Sequence, residues 1–134
     1  MGQSDQVTIM RDITFKKIHE DARGKLYEFS FNGKNFLLVT YVKGAPRGGH
    51  YHEFDLPHVV VSGKFLCREL NLETNEESEF EIKPGDVVNV RAKIVHMFIA
   101  LEDGIMLELK PDNLAVDYPP WRKIVEDFLA KEKV

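Results

Sequence analysis

Gly44-Ala45-Pro46-Arg47-Gly48-Gly49-His50-Tyr51-His52 is the stretch on which the reading of this chain turns, with Gly63 closing it and Gly85 and His96 following further along. Side chains on a strand alternate between its two faces, so His50 and His52, two residues apart, point the same way. His96 arrives much later, at the head of another predicted strand, His96-Met97-Phe98-Ile99-Ala100. If the two strands face each other, three imidazoles converge inside a sheet, which is how a metal site or an acid/base site is built.

Outward from that stretch the chain reads as short strands separated by turn residues. Residues 25–29 alternate and run to Asn32-Gly33, a strong hairpin signal. Residues 35–42 form a longer, mostly apolar strand stopped by Lys43-Gly44, and 57–61 run into Ser62-Gly63. Further strands are expected at 64–70, 79–82, 87–90, 96–100 and 105–109, with Lys83-Pro84-Gly85-Asp86 turning the chain. The acidic run at 73–77 reads as a solvated turn. Strands at this spacing with little helix between them predict an all-β antiparallel sandwich or barrel. A single helix is expected at about 118–131, with Asp117 as its cap and Pro119 and Pro120 in its first turn. Its apolar stripe of Trp121, Ile124, Val125, Phe128 and Leu129 is predicted to pack rather than to bind. Residues 1–134 read as one domain, without repeats.

Composition narrows the function classes. Hydrophobic residues make up 43% of the chain and charged residues 30%, a soluble globular balance. The formal charge of −4 argues against nucleic acid, which needs a basic stripe. The single cysteine, Cys67, excludes a disulfide framework and a thiolate cluster, and its apolar setting predicts a buried structural thiol. His19, in a polar segment beside Lys16 and Lys17, is expected at the surface. No stretch reads as a signal sequence or a membrane span, so a cytoplasmic location with no membrane partner is expected.

The histidine and glycine spacing resembles the two motifs of the cupin superfamily, G-x5-H-x-H-x3,4-E-x6-G and G-x5-P-x-G-x2-H-x3-N. Gly44, His50, His52 and Gly63 stand at the first motif's positions and Gly85 and His96 at the second's, over about residues 36 to 110. The resemblance implies a double-stranded β-helix, the cupin jelly-roll barrel, with a divalent metal (zinc, iron, nickel or manganese) held by His50, His52 and His96. The motif's glutamate position holds Leu56, which cannot coordinate. His58, two residues on and on the same strand face, is the candidate fourth ligand. A bulge at Pro57 would turn Asp55 inward instead, and Glu53 should point outward.

A narrower resemblance links residues 21–28 and Arg47-Gly48-Gly49-His50-Tyr51-His52 to the nucleotide-sugar epimerases and 3,4-ketoisomerases among the cupins, which also lack the metal glutamate. It implies metal-free chemistry in which His50 or His52 is the base, with Arg47, Arg23 or Tyr41 supplying donors or holding a diphosphate. A third expectation is a non-catalytic, ligand-binding or structural cupin. The partners implied are a small-molecule ligand, such as a nucleotide sugar, and a second copy of the chain, with residues 36–42 apolar enough for a homodimer.

Overall fold

The computed structural model describes residues 7–9, 13–111 and 115–132. Among these, β1 (Lys16–Asp21), β2 (Gly24–Phe31), β3 (Lys34–Tyr41), β4 (Pro46–Tyr51), β5 (Leu56–Ser62) and β6 (Phe65–Asn71) come first. They are followed by β7 (Glu76–Ile82), β8 (Val87–Val90), β9 (Ile94–Ala100), β10 (Gly104–Leu109), β11 (Val116–Asp117) and the helix α1 (Pro119–Glu132). The strands form two antiparallel sheets, one in the order β1-β2-β3-β10-β5-β8 and the other β11-β4-β9-β6-β7. This is the all-β jelly roll with one C-terminal helix that the sequence predicts.

Alternation decides which residues face the space between the sheets. On β3 the inward set is Leu37, Val39 and Tyr41, on β5 Leu56, His58 and Val60, and on β10 Met106 lies deep in the core. Phe65 and Cys67 from the opposite sheet are fully buried against them. Burial pushes the Cys67 thiol up to about 12, so it is an inert part of the core. The Asn32-Gly33 hairpin forms as read, with both residues at positive φ, the pairing a two-residue turn between twisted strands requires.

The outer face of the five-stranded sheet is covered by α1. Trp121 and Val125 are buried on Leu70, Val95 and Met97, so the helical stripe packs as expected. Glycine at position 49 is what lets the helix approach: a Cβ there would lie 3.1 Å from the backbone of Trp121 and Arg122.

Three local expectations change. Asp117 pairs with His50 in the β11–β4 ladder, and the Tyr118 carbonyl accepts the first helical hydrogen bonds, from Trp121 and Arg122, so Tyr118 is the flanking residue. Glu76 and Glu77 belong to β7 rather than to the acidic turn, because pairing with β6 and attraction to Arg68 carry the strand through them. Residues 36–42 do not offer a free strand edge, since β3 is hydrogen-bonded on both sides, by β2 and β10.

Candidate metal centre

His50 and His96 stand directly opposite each other in the β4–β9 ladder. A bulge between Gly48 and His50 sets this pairing, and Gly48 makes it possible. Its φ is +111°, and a Cβ there would sit 2.6 Å from the His96 carbonyl. The ring centroids lie 4.8 Å apart for His50 and His96, 5.1 Å for His50 and His52, and 5.4 Å for His52 and His96. One ligand atom from each ring lies within 4.8 Å of the others.

Electrostatics keep all three rings neutral at pH 7. Burial comes first in each case. It lowers His50 to about 4, reinforced by His52 and Arg122, and it takes His96 well below the usual imidazole range, reinforced by His50, His58 and His52. His52 is also lowered by burial, although Glu108 opposes the shift. Neutral imidazoles offer lone pairs, the form a divalent ion binds. The Nδ1 atoms of His52 and His96 are buried without a hydrogen-bond partner, leaving donor or lone-pair capacity that the protein does not satisfy. The donor set therefore fits a divalent metal of the kind imidazole favours.

The remaining candidates are placed as follows. Leu56 is buried at the glutamate position. β5 runs regularly through Pro57, so His58 does face inward, 3% exposed, with its ring 5.9 Å from that of His96. Both its nitrogens are already engaged: Nδ1 lies 3.1 Å from the Leu56 carbonyl and Nε2 2.6 Å from the Glu108 carboxylate. Neither nitrogen is therefore free to take a metal ion without giving up one of these contacts. Asp55 stays outside, accepting a hydrogen bond from the Ala92 N–H at 2.8 Å, and Glu53 is exposed. His19 is at the surface, 2.8 Å from Asp21.

These groups open onto a cavity of about 210 Å³ that also takes in Tyr41, Arg47, Arg23, Glu108 and Arg122. Tyr41 is buried, its hydroxyl 4.0 Å from the Met106 sulfur and its ring beneath the Arg47 guanidinium, and burial pushes its pKa above the usual phenol value. Glu108 was not read from the sequence, although it follows buried Met106 at the two-residue interval of one strand face. Arg122 leaves no signal of its place in the helical period, which reports only its apolar neighbours.

Arg23 is steered by Asp21, which accepts hydrogen bonds from its guanidinium at 2.7 Å and its N–H at 2.8 Å. Burial alone would raise the Asp21 carboxyl, but the Arg23 bonds, with His19, outweigh it and hold it well below the usual range. A lowered carboxyl stabilises the fold fully above its unfolded value, near pH 4, and loses that contribution as pH falls through its folded value. Asp21→Asn should therefore cost about 1–3 kcal/mol at pH 7. Its melting temperature should converge on that of the parent as the buffer is taken below about pH 4.

No protein-family model and no curated protein matches the chain. Solved structures do. The capsular polysaccharide assembling protein CapF from Staphylococcus aureus superposes with a TM-score of 0.62 at 19% identity, covering 78% of this chain and 34% of that one. Oxalate decarboxylase from Lactobacillus farciminis, in a formate complex, gives 0.61 at 20% identity, over 89% of this chain and 39% of that one. The Drosophila melanogaster CENP-C cupin domain gives 0.56 at 11% identity, over 75% and 76%.

The chain has the cupin fold. It spans about a third of the CapF chain it matches. Within this fold the three histidines stand together, and β10 brings a carboxylate to the same cavity, tied to His58. Gly48→Ala tests how the histidine pairing is held. A side chain at that φ and at 2.6 Å from a backbone oxygen must push β4 off β9, so the variant should lose more than about 1 kcal/mol of stability and bind metal more weakly. Chemical denaturation and a Ni2+ titration read the two effects.

Proposed function

We propose that this cupin binds a divalent metal ion through His50, His52 and His96 and takes a small polar ligand into the cavity beside it. The observation that carries this reading is the set of three neutral imidazoles whose ligand atoms lie within 4.8 Å of one another. Bound there, a divalent ion would supply Lewis-acid polarisation of a ligand oxygen. The chain's own residues do the rest. Arg47 and Arg122 present donors, His58 holds the Glu108 carboxylate in the cavity wall, and Phe98 and Val39 limit water. The test is metal content by mass spectrometry of protein purified without chelators.

A second reading is the metal-free keto-sugar isomerase, favoured by Leu56 at the glutamate position. In it a neutral His50 or His52 takes the proton next to a ketone, with Arg47 and Tyr41 nearest the developing charge. The cavity argues for the first reading. Its 210 Å³ lies below the roughly 300–1,000 Å³ of sites for drug-sized ligands. A nucleotide sugar would have to project well outside it.

A further inference from the structure

The cavity carries more positive charge than the metal reading uses. Ion pairs among the described residues occupy Arg23 and Arg68, but not Arg47 or Arg122. The Arg47 Nε is buried without a partner, and its guanidinium donates only to the Thr40 carbonyl, at 3.2 Å. Arg122 donates once, to the Gly48 carbonyl at 2.8 Å, which orients the guanidinium over the same strand that carries His50. Glu108 makes its close pair with His58, at 2.6 Å, rather than with either arginine.

Two guanidinium groups with spare donors and no counter-ion make a seat for a planar, bidentate anion. For the Arg47 Nε the empty state is costly, because a buried donor without a partner forfeits its hydration. Beside the histidines, part of the wall is hydrocarbon, from Leu26, Leu37, Val39 and Phe98. That mixture suits an organic acid with a short apolar body better than an inorganic oxyanion.

We propose that Arg47 and Arg122 together seat the carboxylate of a small organic acid, and that helix α1, through Arg122, sets what the cavity accepts. This rests on the cavity being the ligand site of the proposed function, but not on the metal being bound.

Calorimetric titration tests it, with glutarate as the probe and glutaramide and inorganic phosphate as controls, on nickel-loaded and chelator-treated protein. Glutarate should bind saturably, and Arg122→Gln and Arg47→Gln should each weaken it at least about tenfold. Glutaramide and phosphate should bind no better than the variants bind glutarate. Far-ultraviolet circular dichroism matching that of the parent shows that both variants are folded. Should Arg122→Gln fail to fold, Arg122→Lys keeps the charge and stem but not the fork, and it should still weaken glutarate.

Equal glutarate binding by the parent and the arginine variants, or equal binding of glutaramide or phosphate, overturns the proposal. So does a parent that binds no glutarate. Nickel binding intact in those cases leaves the metal reading standing. Arginine-dependent glutarate binding in a protein that takes no nickel supports the proposal while the metal reading fails.

Discussion

Replacing His50 and His52 together with alanine should leave the protein without stoichiometric divalent metal, where the parent purified without chelators carries about one equivalent. Two of the three neutral nitrogen donors disappear in this variant, and His96 alone is a weak monodentate ligand. Changing a residue that merely orients a metal ligand already costs about 10–100-fold in affinity, so removing two ligands should cost more than about 100-fold. The fold should survive. Both rings are lowered in pKa chiefly by burial and the His52 Nδ1 has no partner, so the chelator-treated variant loses little favourable hydrogen bonding. Its far-ultraviolet circular dichroism should match that of the chelator-treated parent. Retention of stoichiometric metal by the double variant would refute the centre.

Glu108→Ala is expected to be the most destabilising change at the site. The carboxylate faces His58 at 2.6 Å, with the two side chains only 18% and 4% exposed. Removing the carboxylate leaves the buried His58 Nε2 without a hydrogen-bond partner, at a cost of about 1–3 kcal/mol. That is a large fraction of the roughly 5–15 kcal/mol that holds a domain folded. The double variant Glu108→Ala, His58→Leu also removes the unpartnered imidazole and should recover most of the loss.

The pH dependence carries a sign. Burial pushes the Glu108 carboxyl up, but the charge and hydrogen bond of His58 outweigh it, and the net shift is downward. The stabilisation is therefore complete above the unfolded value, near pH 4.3, and is lost as pH falls through the folded one. The gap between the parent and Glu108→Ala in urea unfolding should be widest at neutral pH and close in acid. A gap below about 1 kcal/mol at pH 7 would show that the pair contributes no more than a surface bridge.

Much of this was legible because the relevant signals are short in range. The two-residue interval from His50 to His52, the Asn32-Gly33 turn and the stripe from Trp121 to Leu129 each report local geometry, and each folds accordingly. The meeting of His96 with His50 was legible only through motif spacing, since register between strands so far apart in sequence leaves no local trace. Glu108 lay hidden for a different reason. An acidic residue in an apolar strand looks like a solvent-facing position unless its alternation with Met106 is followed inward. Arg122 sits beside the buried Trp121, and nothing in the helical period says that a neighbouring cation bends back to the Gly48 carbonyl. His58 was read correctly as facing inward, but its hydrogen-bonding partners depend on another strand.

The rims of the two sheets have a consequence for the protein in a crowded solution. Among the described residues, each sheet ends in two strands whose outer backbone groups are open to pairing with another molecule, the route by which β proteins aggregate. Two of those four strands are too short to template much, β8 with four residues and β11 with two. The other two are guarded by charge: β1 carries Lys16, Lys17 and Glu20, and β7 presents Glu76, Glu77, Glu79 and Glu81 to water. An incoming strand would have to bury or repel those side chains. The acidic run that contributes nothing to the cavity thus keeps one flank of the barrel from recruiting a neighbour.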